Sequence, residues 1–497
     1  MSDLQRRIQQ AAAAAKKESS GVTSPESKSR PTSRSGSRQN SKPGSRSSSR
    51  LGSRFHSDDE DDYTTNNNNV DLLSQADELA TSLSQLQSDE EAEGKGSGGK
   101  PKDKFAECIE ILENDRRTSS LEAREGALLL ILSDITQKYD PNKISDKLMD
   151  LLVKAYKNSR SDLESMLSLQ ALCIVSACED SEIDLDQITD ILPKIWSFIT
   201  HKQGTENSVK TNMMYSYCLL QYFMLFGSGA FNVDSVIDSL MEFAEELTSD
   251  EAPVISAALI SAGLLTSIMP NPNSVIDQYL PSFIDFLENP STDVKLAAGK
   301  VIALYFQIYN YTEKLDEDDS EGTDDDEGEL NHIQFIDYHD LYATLKELAS
   351  QSSKKLGKKD KREQKSLFKD VIKTIELFSS KSSRRSLTSE DLTITHLRLS
   401  RSKSLSVDSW NKLLLIQMYK WLYGPGIHTH IANNSFIQET VKASSYELGP
   451  DPFDTSELRE TVTSVDTDSK EGHKLSAVAR SKKIRAERER KVLQQMS

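Results

Sequence analysis

The feature that most constrains this chain is an internal repetition between Lys104 and about Thr312. Five segments there open on a polar or Pro residue and then run apolar: Ser120-Leu121-Glu122-Ala123, Asp162-Leu163-Glu164-Ser165, Ser208-Val209-Lys210-Thr211, Pro253-Val254-Ile255-Ser256 and Asp293-Val294-Lys295-Leu296. Their first apolar positions, 121, 163, 209, 254 and 294, are spaced by 42, 46, 45 and 40 residues. Ser and Asp at such starts can accept hydrogen bonds from the free N–H groups of a first helical turn. A further apolar helix precedes each start, as in Ile191-Leu192-Pro193-Lys194-Ile195-Trp196 and Tyr279-Leu280-Pro281-Ser282-Phe283-Ile284. Apolar residues recur with helical spacing and strand alternation is absent from the region. Two helices per 40–47 residues is the arithmetic of HEAT and armadillo arrays. Such pairs bury their apolar stripes against their neighbours and build a superhelix with a concave face. The expected fold is all-α: an α-solenoid over 103–380, followed by a small helical C-terminal unit.

Charge sets the boundaries. The whole chain of 497 residues carries a net charge of −18, but the charges come in blocks. Residues 1–54 hold twelve Lys and Arg against three acids, with six Ser-Arg steps and almost nothing apolar. Residues 57–93 hold twelve acids and no Lys or Arg. Too little can be buried there to offset the entropy of ordering the backbone, so 1–102 is expected to be a disordered leader. Residues 313–329 contain eleven acids in 17 positions and read as a solvated loop. Residues 354–369 contain eight basic residues against two acids, and 381–406 read as a Ser/Arg-rich linker. Within it, Ser386 and Ser404 follow basic residues in the manner that basophilic kinases read, and phosphate on either would add about −2 charge. Residues 407–452 form the expected C-terminal unit. Residues 453–497 form a linker and a basic helical tail, in which Arg480, Lys482, Lys483, Arg485, Arg488, Arg490 and Lys491 surround an unbroken helical segment.

Several chemistries are disfavoured. No 18-residue apolar run is present, so no membrane helix is expected. The N-terminus lacks the apolar core of a secretory signal. Four cysteines in this length form neither a disulfide framework nor a zinc spacing, which suits a reducing compartment. Cys173 and Cys178 sit in an apolar helix and read as core. No nucleophile elbow, phosphate loop, metalloprotease helix or dinucleotide turn occurs, so no catalytic residue, metal, cofactor or small-molecule substrate is expected. The acidic runs lack the turned loop of a calcium site. His428 and His430, two apart on a helix, do not share a face, which argues against a metal pair. They are instead candidates to meet phosphate beside Gly426. Trp410 opens an amphipathic helix and reads as core, with a binding aromatic as the alternative. Asn433 and Asn434 either read a backbone or cap the next helix.

The C-terminal motifs resemble the interferon-related developmental regulator family. The residues that carry the likeness are Leu397-Arg398-Leu399, Val407-Asp408-Ser409-Trp410, Gly424-Pro425-Gly426, Ile427 and Ile431 with Asn433-Asn434, and Glu447-Leu448-Gly449-Pro450. Arg124-Glu125-Gly126-Ala127-Leu128 adds a looser match in the first pair. The acidic insertion at 313–329 departs from the family, and the tail keeps its character but not its residue pattern. The resemblance implies a helical repeat domain, a C-terminal domain and no enzymatic activity. It also implies two kinds of role. One is association with the ribosome, with translation silenced by a basic C-terminal helix in an rRNA-lined channel. The other is nuclear: a transcriptional co-regulator whose array binds a histone deacetylase-type complex. The basic blocks favour RNA contact, since neutralised phosphates release counterions. The expected location is the cytoplasm, with the nucleus for the second role.

Overall fold

The computed structural model describes residues 104–114, 119–178, 185–202, 204–227, 232–310, 338–350, 357–379, 393–399 and 403–443. Twelve of its helices form six hairpins. They are α1 (Lys104–Glu113) with α2 (Leu121–Gln137), α3 (Asp146–Lys157) with α4 (Asp162–Ser176), and α5 (Leu185–His201) with α6 (Asn207–Leu225). Then follow α7 (Val233–Glu246) with α8 (Ala252–Thr266), α9 (Asn273–Asp285) with α10 (Thr292–Ile308), and α11 (Tyr338–Ser350) with α12 (Lys358–Phe378). The even-numbered helices stack in order, α2 on α4, α4 on α6, and so on to α12. The odd-numbered helices pack outside them.

The repeat is written in the bonds between neighbours. Cys173 Sγ donates to the carbonyl of Ser216 at 3.6 Å, and 45 residues later Cys218 Sγ donates to that of Ser261 at 3.8 Å. The even helices begin at Leu121, Asp162, Asn207, Ala252 and Thr292, within two residues of the starts expected from the sequence. The caps differ in detail. Ser120 and Ser161 cap α2 and α4 through their hydroxyls, whereas Glu206 and Ser291 make no side-chain cap bond. Helices α4, α6 and α8 are apolar or small nearly all round and are buried nearly all round, which requires cover on two sides. The odd helices supply one side.

The other side is covered by the C-terminal segment. Strands β1 (Thr395–Arg398) and β2 (Ser404–Val407) form an antiparallel hairpin, with Arg398 opposite Ser404. The segment read as a Ser/Arg-rich linker, 381–406, thus contains strand β1 and most of β2. Leu397, Leu405 and Val407 are buried while His396 and Arg398 are exposed. A two-residue period over four-residue strands is easily lost among Ser and Arg. Helix α13 (Trp410–Tyr423) follows, capped by Ser409, whose hydroxyl accepts from the Lys412 N–H at 3.2 Å. It ends at Gly424, whose φ of +50° suits a residue without Cβ. A 3-10 turn over Gly424–Gly426 leads to α14 (Ile427–Asn433) and α15 (Ser435–Thr440). Helix α13 packs on α2, α4, α10 and α8, so array and C-terminal segment share one continuous apolar core.

Candidate functional site

Helix α13 occupies the inner face of the even-numbered row. Each even helix from α4 to α12, or its adjoining residues, reaches it with a polar group. Thr374 of α12 accepts from Trp410 Nε1 at 2.8 Å. Gln307 of α10 accepts from the Trp410 backbone N–H at 2.8 Å. Ser267, just beyond α8, donates to Asn411 at 2.9 Å, and Lys300 of α10 donates to Gln417 at 2.8 Å. Asn212 of α6 accepts from Trp421 Nε1 at 2.7 Å, and Gln170 of α4 donates to the Leu422 carbonyl at 3.4 Å. Helix α13 therefore runs back along the array, from the sixth hairpin to the first. Lys300 is buried with its ammonium, and this desolvation lowers its pKa from the usual 10.5 to about 8, against the pull of Glu363 and Asp293.

At the far end, Gly426 touches α2 so closely that a Cβ would lie 1.9 Å from the Thr136 carbonyl oxygen. His430 Nε2 lies 3.0 Å from the carbonyls of both Ile135 and Thr136, so that nitrogen carries the proton and donates. The ring stacks on Tyr423 at 3.9 Å between centroids and is 1% exposed. Burial lowers its pKa to about 4, partly opposed by the two carbonyl bonds, and holds it neutral near pH 7. Asn434 caps α15 by accepting from the Ile437 N–H at 3.2 Å, and its amide donates to the Ala177 carbonyl at 2.8 Å.

These positions revise several candidates. His430 cannot meet RNA phosphate, because it is buried and spent on α2; His428, two residues away, is exposed. Trp410 is core, fully buried with its indole N–H satisfied. Asp408 is half exposed and pairs with Lys412 at 3.8 Å. Ser409, Gly424 and Gly426 shape the entry and exit of α13. Ser404 is exposed on β2. Ser386, Leu448, Gly449, Pro450 and the tail cations Arg480, Lys482, Lys483, Arg485, Arg488, Arg490 and Lys491 lie outside the described residues. Arg124 and Glu125 gain a role: Arg124 pairs with buried Glu164 at 3.1 Å, and Glu125 accepts from Ser161 at 2.5 Å, joining the first two hairpins.

The surface charge of the array is segregated. From Thr211 to Val294 the chain has eleven Asp and Glu and no Lys, Arg or His. Cations lie to either side of this stretch. On α12, Arg362, Lys365, Lys369 and Lys373 are exposed at spacings of three, four and four, which puts them on one helix face. Among the described residues no group of three His, Cys, Asp or Glu side chains is placed to hold a metal. Burial pushes the thiol of Cys173 far up and that of Cys218 up to about 12, so neither is a thiolate near neutral pH. No helix among the described residues is long and apolar enough to cross a membrane.

Fold and surface together define a helical repeat scaffold whose inner groove is filled by its own C-terminal helix. The family model described as interferon-related developmental regulator matches residues 75–376, and the chain belongs to that family. The matched span is the array and part of the leader, and it stops short of the 407–450 motifs. An uncharacterized protein of Schizosaccharomyces pombe is 26% identical over 335 residues, covering 63% of this chain and 70% of that one. Mouse interferon-related developmental regulator 2 is 27% identical over 199 residues, 40% of this chain and 37% of that protein. Human interferon-related developmental regulator 1 is 24% identical over 196 residues, 39% and 36% respectively. The alignments to these mammalian proteins thus span little more than a third of their length.

Proposed function

We propose that the chain is a non-enzymatic, ribosome-associated regulator of translation, acting in the cytoplasm through contacts to rRNA from its basic surfaces. The observation that carries this reading is the filled groove. A repeat array with an open inner face is built to take a peptide or helix from a partner, and here α13 already lies there. That weakens the nuclear alternative, in which the concave face binds a deacetylase-type complex. Binding then falls to exposed surfaces, where the cations of α12 lie, and to the basic residues of the tail sequence, on a chain that is acidic overall. RNA contact confined to such blocks is compatible with the net charge of −18. The array would dock, and the basic tail would contact rRNA with arginines that suit phosphates and base faces.

Sedimentation of tagged protein from lysate through a sucrose gradient tests the reading, comparing the full chain with one ended after Asp468 at low and moderate salt. The expected result is co-migration with monosomes lacking nascent chains, lost on truncation and weakened by salt. Both proteins at the top of the gradient would overturn it in favour of the nuclear role.

A further inference from the structure

A cleft on the N-terminal half of the array combines cations from three separate elements. It lies between the second and third hairpins and encloses about 230 Å³. Lys157 at the end of α3, Arg160 in the α3–α4 connection, and Lys194 and Lys202 of α5 line it, with the hydroxyl-bearing Ser159 and Ser165. One carboxylate, Asp162, lines it with them, paired to Lys202, which also lies 4.2 Å above the Phe198 ring centroid. Lys157 is held loosely, 3.7 Å from a largely exposed Asp190. The exposed Lys194 side chain makes no hydrogen bond or ion pair among the described residues.

The connection that carries Arg160 is fixed from below. Its backbone N–H donates to Glu164 at 2.8 Å, and Glu164 is itself fully buried and paired with Arg124. Ser161 is bonded to Glu125, and Ser165 donates to Ser159 at 2.6 Å. The α4 N-terminus opens on the same cleft, and its dipole favours an anion. A preorganised loop loses less entropy when a ligand arrives.

We propose that this cleft holds a phosphate group of an RNA backbone, an inference that rests on the RNA contact of the preceding reading. Several separate cationic donors and serine hydroxyls suit an anion with several acceptor oxygens. The aromatic lining offers little to a peptide: Tyr156 is buried and Lys202 lies over Phe198. Charge and hydroxyls above aromatic rings that are already covered are the chemistry of backbone contact. The cation-free stretch from Thr211 to Val294 leaves this cleft as a local focus of positive potential.

The test uses the full chain and a short fluorescently labelled single-stranded RNA, with anisotropy followed across a salt series. Lys157→Glu/Lys194→Glu is expected to weaken binding and to flatten the log-affinity against log-salt slope by about 0.7 per lost phosphate contact. Lys157→Arg/Lys194→Arg should bind as the parent does. Lys194→Ala guards against misfolding, since that side chain supports no other group, and it should show a smaller loss in the same direction. Unchanged affinity and slope in the glutamate and alanine variants would overturn the cleft while the parent still binds RNA and ribosomes. A phosphoserine peptide bound more tightly than the RNA, through the same lysines, would overturn the RNA assignment. No RNA binding by the parent would also overturn it, and the gradient would show separately whether ribosome association survives through protein contacts.

Discussion

At the scale of single residues, His430 shows how a side chain that reads as a surface ligand becomes a structural donor. Its neighbours Thr429 and Asn433 are polar, and nothing local announces that α2 will cover it. The covering has a pH consequence. The unfolded pKa is near 6.5 and the folded value is about 4, so between them the unfolded chain binds the proton more readily. Stability from this group is fully present above pH 6.5 and drains away as pH falls toward 4, by at most about 3 kcal/mol. Urea denaturation of the parent and His430→Gln across pH 4–7 checks this. The parent should lose more stability over that window than the variant, because only the parent has the imidazole to protonate. Parallel curves would mean that the ring is not held neutral. The carboxylates titrate in both proteins and cancel in the comparison.

At the scale of elements, the joint between α13 and the array rests on paired polar groups set in apolar surroundings. Trp421 illustrates it: the indole is buried against Tyr215, with ring centroids 5.3 Å apart, and its N–H is satisfied by Asn212. A double-mutant cycle of Trp421→Phe and Asn212→Ala should give a coupling of about 0.5–1.5 kcal/mol in chemical denaturation. Additive effects would show that the bond carries no net stability. How far such elements could be read beforehand depends on whether their signals are local. The first five even helices could be placed within two residues because an apolar run and its onset lie in adjacent residues, whereas α12 begins at Lys358, well before its apolar run opens at Leu367. The β1–β2 hairpin could not, because each strand offers only four residues of alternation amid Ser and Arg. Helix α13 itself was legible as an apolar helix, and Trp410 as core. Its seat was not, because an apolar face says that a helix is covered and not by what. For the same reason the candidate cleft is not legible in the sequence: Lys157, Arg160, Lys194 and Lys202 are scattered over 46 positions and converge only when hairpins stack.

At the scale of the whole molecule, the groove and its occupant stand or fall together. Removing 410–443 would uncover the inner face of α4, α6, α8 and α10, including Gln170, Asn212 and Lys300. The remaining array is expected to bind a hydrophobic dye, to exchange amide hydrogens in α4 and α6 faster than the full chain, and to aggregate. A truncated array that stayed monomeric and equally protected would show that α13 is an accessory. The path of α13 has one more consequence, and it concerns synthesis. Thr136 and His430 meet although 294 residues separate them. Growing at about 5–20 residues per second, the chain leaves its first hairpins waiting roughly 15–60 s for their last partner. Through that interval the nascent array carries an unfilled apolar trough, and the natural guardian of such a surface is a chaperone that releases it only when the final helix has emerged.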